Sequence, residues 1–188
     1  DDSAVGLYEE ALEIREAAGA ADTIEASEMI TGLGELYRKR GRKSEARALF
    51  DRMLKVRRNA EAAPVEIAEV EVAIAALEVE GGNADEAVQL ARAALERTPA
   101  GPATSKANPA QVIMRAAWVL AEAGEDGAAE AYARGAQVAK DVDDEKSVIE
   151  ALLEYAQFLA ARDEHERARV LAVRAEELAR SNEQEAVA

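Results

Sequence analysis

The sequence predicts an all-α protein, a single solenoid of about nine helices packed as antiparallel pairs, and three observations carry that expectation. Alanine supplies 45 of the 188 residues, while only four prolines and eleven glycines interrupt the chain. Alanine is the strongest helix former, and its small side chain lets helices approach closely. Apolar residues recur at helical offsets: Ala46, Leu49, Phe50, Met53 and Leu54 repeat the spacing of Ala4, Leu7, Tyr8, Ala11 and Leu12. Offsets of three, four and seven residues share one helix face. The group then returns as Ala87, Leu90, Ala91, Ala94, Leu95, as Ala129, Tyr132, Ala133, Ala136, and as Ala168, Leu171, Ala172, Ala175, its anchor alanines 42, 41, 42 and 39 residues apart. A fixed period of about 40 residues is the signature of a solenoid.

The expected helices run over 2–17, 22–40, 44–59, 64–80, 84–97, 109–123, 127–140, 145–161 and 164–181. The first carries the Ala4 group. Asp22 with Glu25, Asn83 with Glu86, Asn108 with Gln111 and Asp163 with Glu166 read as N-caps, each with a side chain three residues on that can bond back. Pro64 and Pro109 suit first helical positions, where no amide hydrogen is needed. Gly41, Gly82, Gly124 and Asp163 mark the turns about five residues before each anchor alanine. The long connection "RTPAGPATSKANP", Arg97 to Pro109, is rich in turn formers and is expected to be the most mobile segment. This gives one domain over 1–188: a half repeat at 1–20, repeats at 21–62, 63–107, 108–143 and 144–181, and a tail at 182–188.

The third copy poses a question of register. If the turn keeps a constant length before Ala87, Glu71 and Glu78 fall where the preceding copy packs Ile30 and Tyr37. Two unpaired buried carboxylates would cost several kcal/mol each, on the order of the penalty for an uncompensated charge. A one-residue insertion at Gly81 and Gly82 would relieve this by turning Val70, Ile74 and Leu77 inward with Ile67, and moving both glutamates into the groove.

Composition narrows the function. With no cysteine there are no disulfides, thiolate metal sites or cysteine nucleophiles. A net charge of -15 disfavours nucleic acid. No apolar run approaches the roughly 20 residues of a membrane span, and no signal peptide is visible, so a cytoplasmic protein is expected. The chain begins at Asp1 without methionine, as a processed or excised chain would. The charge is uneven, because ten of the residues from Arg38 to Arg58 are basic and two are acidic. That stretch reads as a solvated helix face, or as a contact patch for an acidic partner or for the protein's own acidic half.

Ile30, Leu33, Gly34 and Tyr37, followed by Ala46 and Phe50, stand at the spacing of the tetratricopeptide pattern. Together with "LYEEALEIREA" (Leu7 to Ala17) and "ELYRKRGRKSEARALF" (Glu35 to Phe50), they make the chain resemble the long repeats of kinesin light chains. The resemblance implies a right-handed superhelix whose first helices line a concave groove for a peptide or a partner's helix. Kinesin light chains carry an asparagine pair that bonds a peptide backbone; the matching positions here are Thr31 and Gly32.

On that frame the groove is expected to hold the acids Glu28, Glu35, Glu71, Glu78, Glu122, Glu150 and Glu154, the apolar residues Val72, Val79, Met114, Trp118 and Leu153, and the cations Arg38, Lys39 and Arg115. A basic, amphipathic protein or peptide suits it, whereas a terminal carboxylate, the ligand of the chaperone-tail-binding members, would be repelled. Trp118, the only tryptophan, is either a binding platform or a wedge between copies, and Met114 one turn before it shares its fate.

Catalysis finds no constellation. His165 is the only histidine, which leaves no triad and no zinc site. "DVDDEK", Asp141 to Lys146, begins like a calcium loop but has Lys146 for the required glycine and Leu152 for the bidentate glutamate. Gly32 and Gly34 lack the third glycine of a dinucleotide loop. The expectation is a non-catalytic interaction module without cofactor or metal, an adaptor or the sensing arm of a larger regulator; the alternative is a structural solenoid that oligomerises through its open ends.

Overall fold

The computed structural model describes residues 2–98, 107–141 and 145–185. Among these are nine α-helices: α1 (Asp2–Ala17), α2 (Ser27–Lys39), α3 (Lys43–Asn59), α4 (Pro64–Gly81), α5 (Ala84–Arg97), α6 (Pro109–Glu122), α7 (Ala128–Asp141), α8 (Glu145–Ala160) and α9 (His165–Glu185). A short 3₁₀ turn, Ile24–Ala26, precedes α2. Most of the connection from Arg97 to Pro109, and most of the Asp141 to Lys146 segment, lie outside the described residues. No helix among those described is long and apolar enough to cross a membrane.

Each helix packs antiparallel on the next. In addition α4 packs on α6 and α6 on α8, so the first helices of successive pairs form a continuous inner row. One turn geometry is reused along the chain. Gly41, Gly82, Gly124 and Asp163 take φ of 74°, 88°, 71° and 62°, and the next amide donates to a carbonyl five residues back, as Arg42 does to Tyr37 and Asn83 to Glu78. This is the left-handed helix stop that glycine favours. Asp163, expected to be an N-cap, instead occupies this stop. Asp22 is not a cap either: Thr23 Oγ1 accepts from Ala26, and Asp22 pairs with Arg52 at 2.5 Å. Asn83 makes no side-chain cap and donates to Glu78 at 2.6 Å. Asn108 caps α6 as its sequence predicts.

Constant turn length settles the register of the third copy against the expected insertion at Gly81 and Gly82. Glu71 and Glu78 are buried to 1% and 8% exposure, the same as Ile30 and Tyr37 one copy earlier. They are tolerated because guanidinium groups reach them. Glu71 accepts from Arg58 and Arg97, each at 3.0 Å, and Glu78 from Arg47 and Asn83. Meanwhile Val70, Ile74 and Leu77 are buried too, because α4 is the central helix and its residues from 70 to 78 are enclosed all round.

The extra residues lie one turn later. The amides of Ala46, Ala87 and Ala168 donate to the residue that opens their helix, and the equivalent bond in α7 runs from Ala131 to Gly127. Ala131, Gly135, Val138 and Ala139 are therefore the buried face, while Ala129 and Ala133, expected inside, are exposed; Tyr132 and Ala136 are buried as expected. Asp126 and Gly127 lengthen the α6–α7 turn and rotate the helix face.

Small residues set the helix spacing. A Cβ on Gly34 would meet Phe50 Cε1 at 2.5 Å, and one on Gly135 would meet Met114 Sδ at 2.5 Å. Three apolar clusters follow one another along the chain, from Val5, Ile30 and Phe50, through Ala68, Ala91 and Val119, to Ile113, Tyr132 and Leu159.

The basic stretch meets the protein's own acids. Arg42 pairs with Glu45 at 2.9 Å and Glu9 at 3.3 Å, Arg52 with Glu16 at 2.6 Å, Arg47 with Asp51 at 3.0 Å and Glu86 at 3.1 Å, and Arg57 with Glu69 at 2.7 Å. Helix α3 thus ties together α1, α4 and α5, and much of its positive charge is spent inside the molecule.

Candidate functional site: the concave groove

The inner row of α2, α4, α6 and α8 encloses a groove of about 1100 Å³. Helical spacing places its lining in stripes. Met114, Trp118 and Glu122 follow at four-residue steps along α6, and Glu150, Glu154 and Phe158 do the same along α8. Glu35 and Arg38 enter from α2, and Glu69, Val72 and Ala76 from α4. Tyr132 of α7 is the one lining residue contributed by a second helix.

Of the expected groove residues, the structure gathers Glu35, Arg38, Val72, Met114, Arg115, Trp118, Glu122, Glu150 and Glu154 around this space. Glu71 and Glu78 are corrected: they point to the second helices and are held there by arginines, so Glu69 and Ala76 take their places in the groove. Val79 and Leu153 do not line it either. Val79 packs into the middle apolar cluster, and Leu153 is 41% exposed. Lys39 is exposed outside the lining, and the side chain of Glu28 lies outside the described residues.

Sequence reasoning missed Tyr132 and Phe158. The repeat pattern puts Tyr132 on a packing face, which it also serves, stacked on Tyr155 at 5.8 Å between ring centroids and tilted against Phe158 at 5.0 Å. Phe158 continues the Glu150 and Glu154 stripe, and that spacing was a usable signal. Trp118 is half-buried, touches two apolar clusters and also lines the groove, so it packs between copies while presenting part of its surface to the open space.

The groove's charges are only partly matched. Glu35 accepts from Arg38 at 3.0 Å and from Arg115 at 2.9 Å, the latter bond reaching from α6 to α2 across α4. Arg38 also pairs with Glu80. Arg38 and Arg115 are therefore occupied at the α2 end, while the third lining arginine, Arg162, lies over the Phe158 ring. At the other end Glu150 has only Lys146 at 3.7 Å, and Glu122 and Glu154 make no ion pair among the described residues. Burial in the groove wall, and then the charge of Glu150, push the Glu154 carboxyl above the usual carboxylate range despite Arg115. Burial likewise raises the Tyr132 phenol, and Glu154 and Glu122 add to it.

No family model matches the chain, and no curated protein sequence does. Solved structures do match. BtubC (BKLC) from P. vanneervenii, a bacterial kinesin light chain with tetratricopeptide repeats, superposes with a TM-score of 0.65 at 15% identity, covering 84% of this chain and 64% of its own. The MamA 41-end structure from Desulfovibrio magneticus RS-1 gives a TM-score of 0.56 at 18% identity, and a MamA RS-1 double mutant 0.56 at 17%, each covering 95% of this chain and 96% of its own. The chain has the tetratricopeptide-repeat fold. It spans less than two thirds of the length of BtubC, and at these identities the likeness is one of fold. Within this repeat solenoid, no group of acidic or histidine side chains among the described residues is arranged to hold a metal. His165 is exposed beside Asp163 at 3.5 Å and is not among the residues that line the groove.

Proposed function

We propose that this repeat solenoid is a non-catalytic protein-interaction module that takes a basic, amphipathic peptide or helix into its concave groove, as an adaptor or the sensing arm of a larger regulator. The observation that carries the reading is the pairing of an apolar strip, Met114, Trp118 and Phe158, with carboxylates that lack cations, Glu122 and Glu154. A helix laid in a groove buries apolar side chains at three- and four-residue spacing, and its flanking cations would meet the acids. Catalytic work has no comparable support, since the residues lining the groove include neither a histidine nor a cysteine to activate or supply a nucleophile. Trp118 supplies the test. A helical Leu/Arg peptide of about 15 residues, roughly 22 Å long, should change Trp118 fluorescence saturably, and the matching Leu/Glu peptide should not. Equal response to both, or to neither, would refute the groove reading.

The alternative, self-assembly through the solenoid ends, rests on a different observation. Val72 is buried under the following first helix, whereas Leu153, at the equivalent place in the last pair, is exposed, as are Val173 in α9 and Leu7 and Ile14 in α1. Light scattering across protein concentration separates the two readings: stacking ends give a mass that grows with concentration, and a peptide-binding groove does not require it.

A further inference from the structure

We propose that the Trp118–Tyr132 end of the groove is a seat for a single guanidinium or ammonium group of the bound segment, with Glu122 and Glu154 as counter-charges and the Tyr132 hydroxyl as a neutral acceptor. The inference rests on the groove reading and names what part of the partner the groove selects.

Tyr132 carries the argument. It is 3% exposed, yet its hydroxyl has no hydrogen-bond partner among the described residues. A buried hydroxyl left without a partner is costly, so its setting needs a reason. Tyr132 is rooted on α7, behind the inner row, and is nevertheless among the residues that line the groove. Glu122 and Glu154 line the same space, and the charges of both act on the Tyr132 phenol. A group that donates several hydrogen bonds and carries positive charge would satisfy all three at once. A neutral or anionic group would leave both carboxylates without a counter-charge.

The aromatic surroundings point the same way. Ring faces attract cations, and guanidinium groups stack on them. The chain already places one of its own there: Arg162 lies over the Phe158 ring at 4.7 Å from its centroid, at the lip of this end of the groove, without a carboxylate partner among the described residues. Arg115 makes its ion pair with Glu35 of α2 and acts on Glu154 only through space, without an ion pair to it. The seat thus combines an aromatic wall, two acids without an ion pair among the described residues and an unused acceptor, while Arg115 is paired with Glu35 and Arg162 is laid on the Phe158 ring.

The test uses N-acetyl-arginine N-methylamide and its neutral isostere, N-acetyl-citrulline N-methylamide, each titrated while the Trp118 indole N–H resonance is followed. The arginine compound should shift that resonance saturably, and the citrulline compound should bind about tenfold more weakly or less, as loss of one charge-assisted bond implies. Tyr132→Phe keeps the ring stack and removes the acceptor; it should weaken the arginine compound about three- to tenfold. Glu154→Gln should weaken it further, and both variants should keep parental circular dichroism. In parallel, the Leu/Arg peptide is rescanned with citrulline at each arginine in turn. One dominant position supports the seat. If the peptide binds but no single arginine matters, and the two small compounds behave alike, the groove reading stands and the seat is overturned. If neither peptide nor arginine compound moves Trp118, both are overturned.

Discussion

Replacing Glu71 tests the physical basis of the third copy. Its carboxylate is 2% exposed and sits where Ile30 packs one copy earlier, but it accepts three hydrogen bonds at 3.0 to 3.2 Å from Arg58 and Arg97, whose side chains are 53% and 44% exposed. Glu71→Gln keeps the size and loses the charge assistance on two guanidinium contacts, about 2 kcal/mol in all at roughly 1 kcal/mol each. Glu71→Ala removes the contacts and also leaves a void, so it should lose about 2 kcal/mol or more. Glu71→Ile is different. The apolar side chain fills the site as Ile30 does, the desolvation cost of the carboxylate vanishes, and both arginines can swing out to water. The result should lie within about 1 kcal/mol of the parent, or above it. Urea unfolding, followed by circular dichroism and by Trp118 fluorescence, measures the series. If the isoleucine variant falls as far as the alanine variant, the position is not equivalent to Ile30 and the constant-turn register is wrong.

Other expectations follow from close packing and charge. Gly34→Ala gains helix propensity of about 1 kcal/mol but drives a methyl group into Phe50, costing about 1 to 3 kcal/mol; a lower melting temperature, restored by Phe50→Leu, is the expected result. Replacing Arg42, Lys43 and Arg47 together by glutamate should lower stability, more at low salt than at high salt, because these residues meet Glu9, Glu45, Glu78, Glu80 and Glu86; unchanged melting at low salt would return the stretch to a solvated face. Glu154→Gln should raise the stability of the free protein by about 0.2 to 0.5 kcal/mol by removing like charge four residues from Glu150, while weakening the Leu/Arg peptide. Because the folded protein holds the Glu154 proton to a higher pH than the unfolded chain, that carboxyl makes stability fall as pH rises through its raised range, and the glutamine variant should lose this slope.

Much of the fold was legible because its rules are local. Pro64, Pro109 and the glycines at 41, 82 and 124 placed the helix limits, and the recurring alanines gave the pairing. What escaped were relations that no local pattern contains. Glu71 and Glu78 were moved outward on the assumption of unpaired burial, but Arg47 and Arg97 lie 31 and 26 residues away and come near only in the fold. The rotation of α7 depends on where two extra turn residues fall, and glycines at both 124 and 127 left that open. The groove itself was readable on α6, where the stripe is regular. Tyr132 was not, because a residue on a second helix reaches the groove only when its ring passes between two first helices.

The central claim, that the concave groove is the binding surface for a basic amphipathic segment, is tested most directly by selecting binders from a random peptide library and mapping them by hydrogen exchange and by photo-crosslinking. The account predicts sequences enriched in arginine or lysine with apolar residues three and four apart, crosslinks to α6 and α8 around Trp118, and competition by the Leu/Arg peptide. Selected peptides that are acidic, or that crosslink to the outer faces of α3, α5, α7 or α9 and leave Trp118 unchanged, would contradict it.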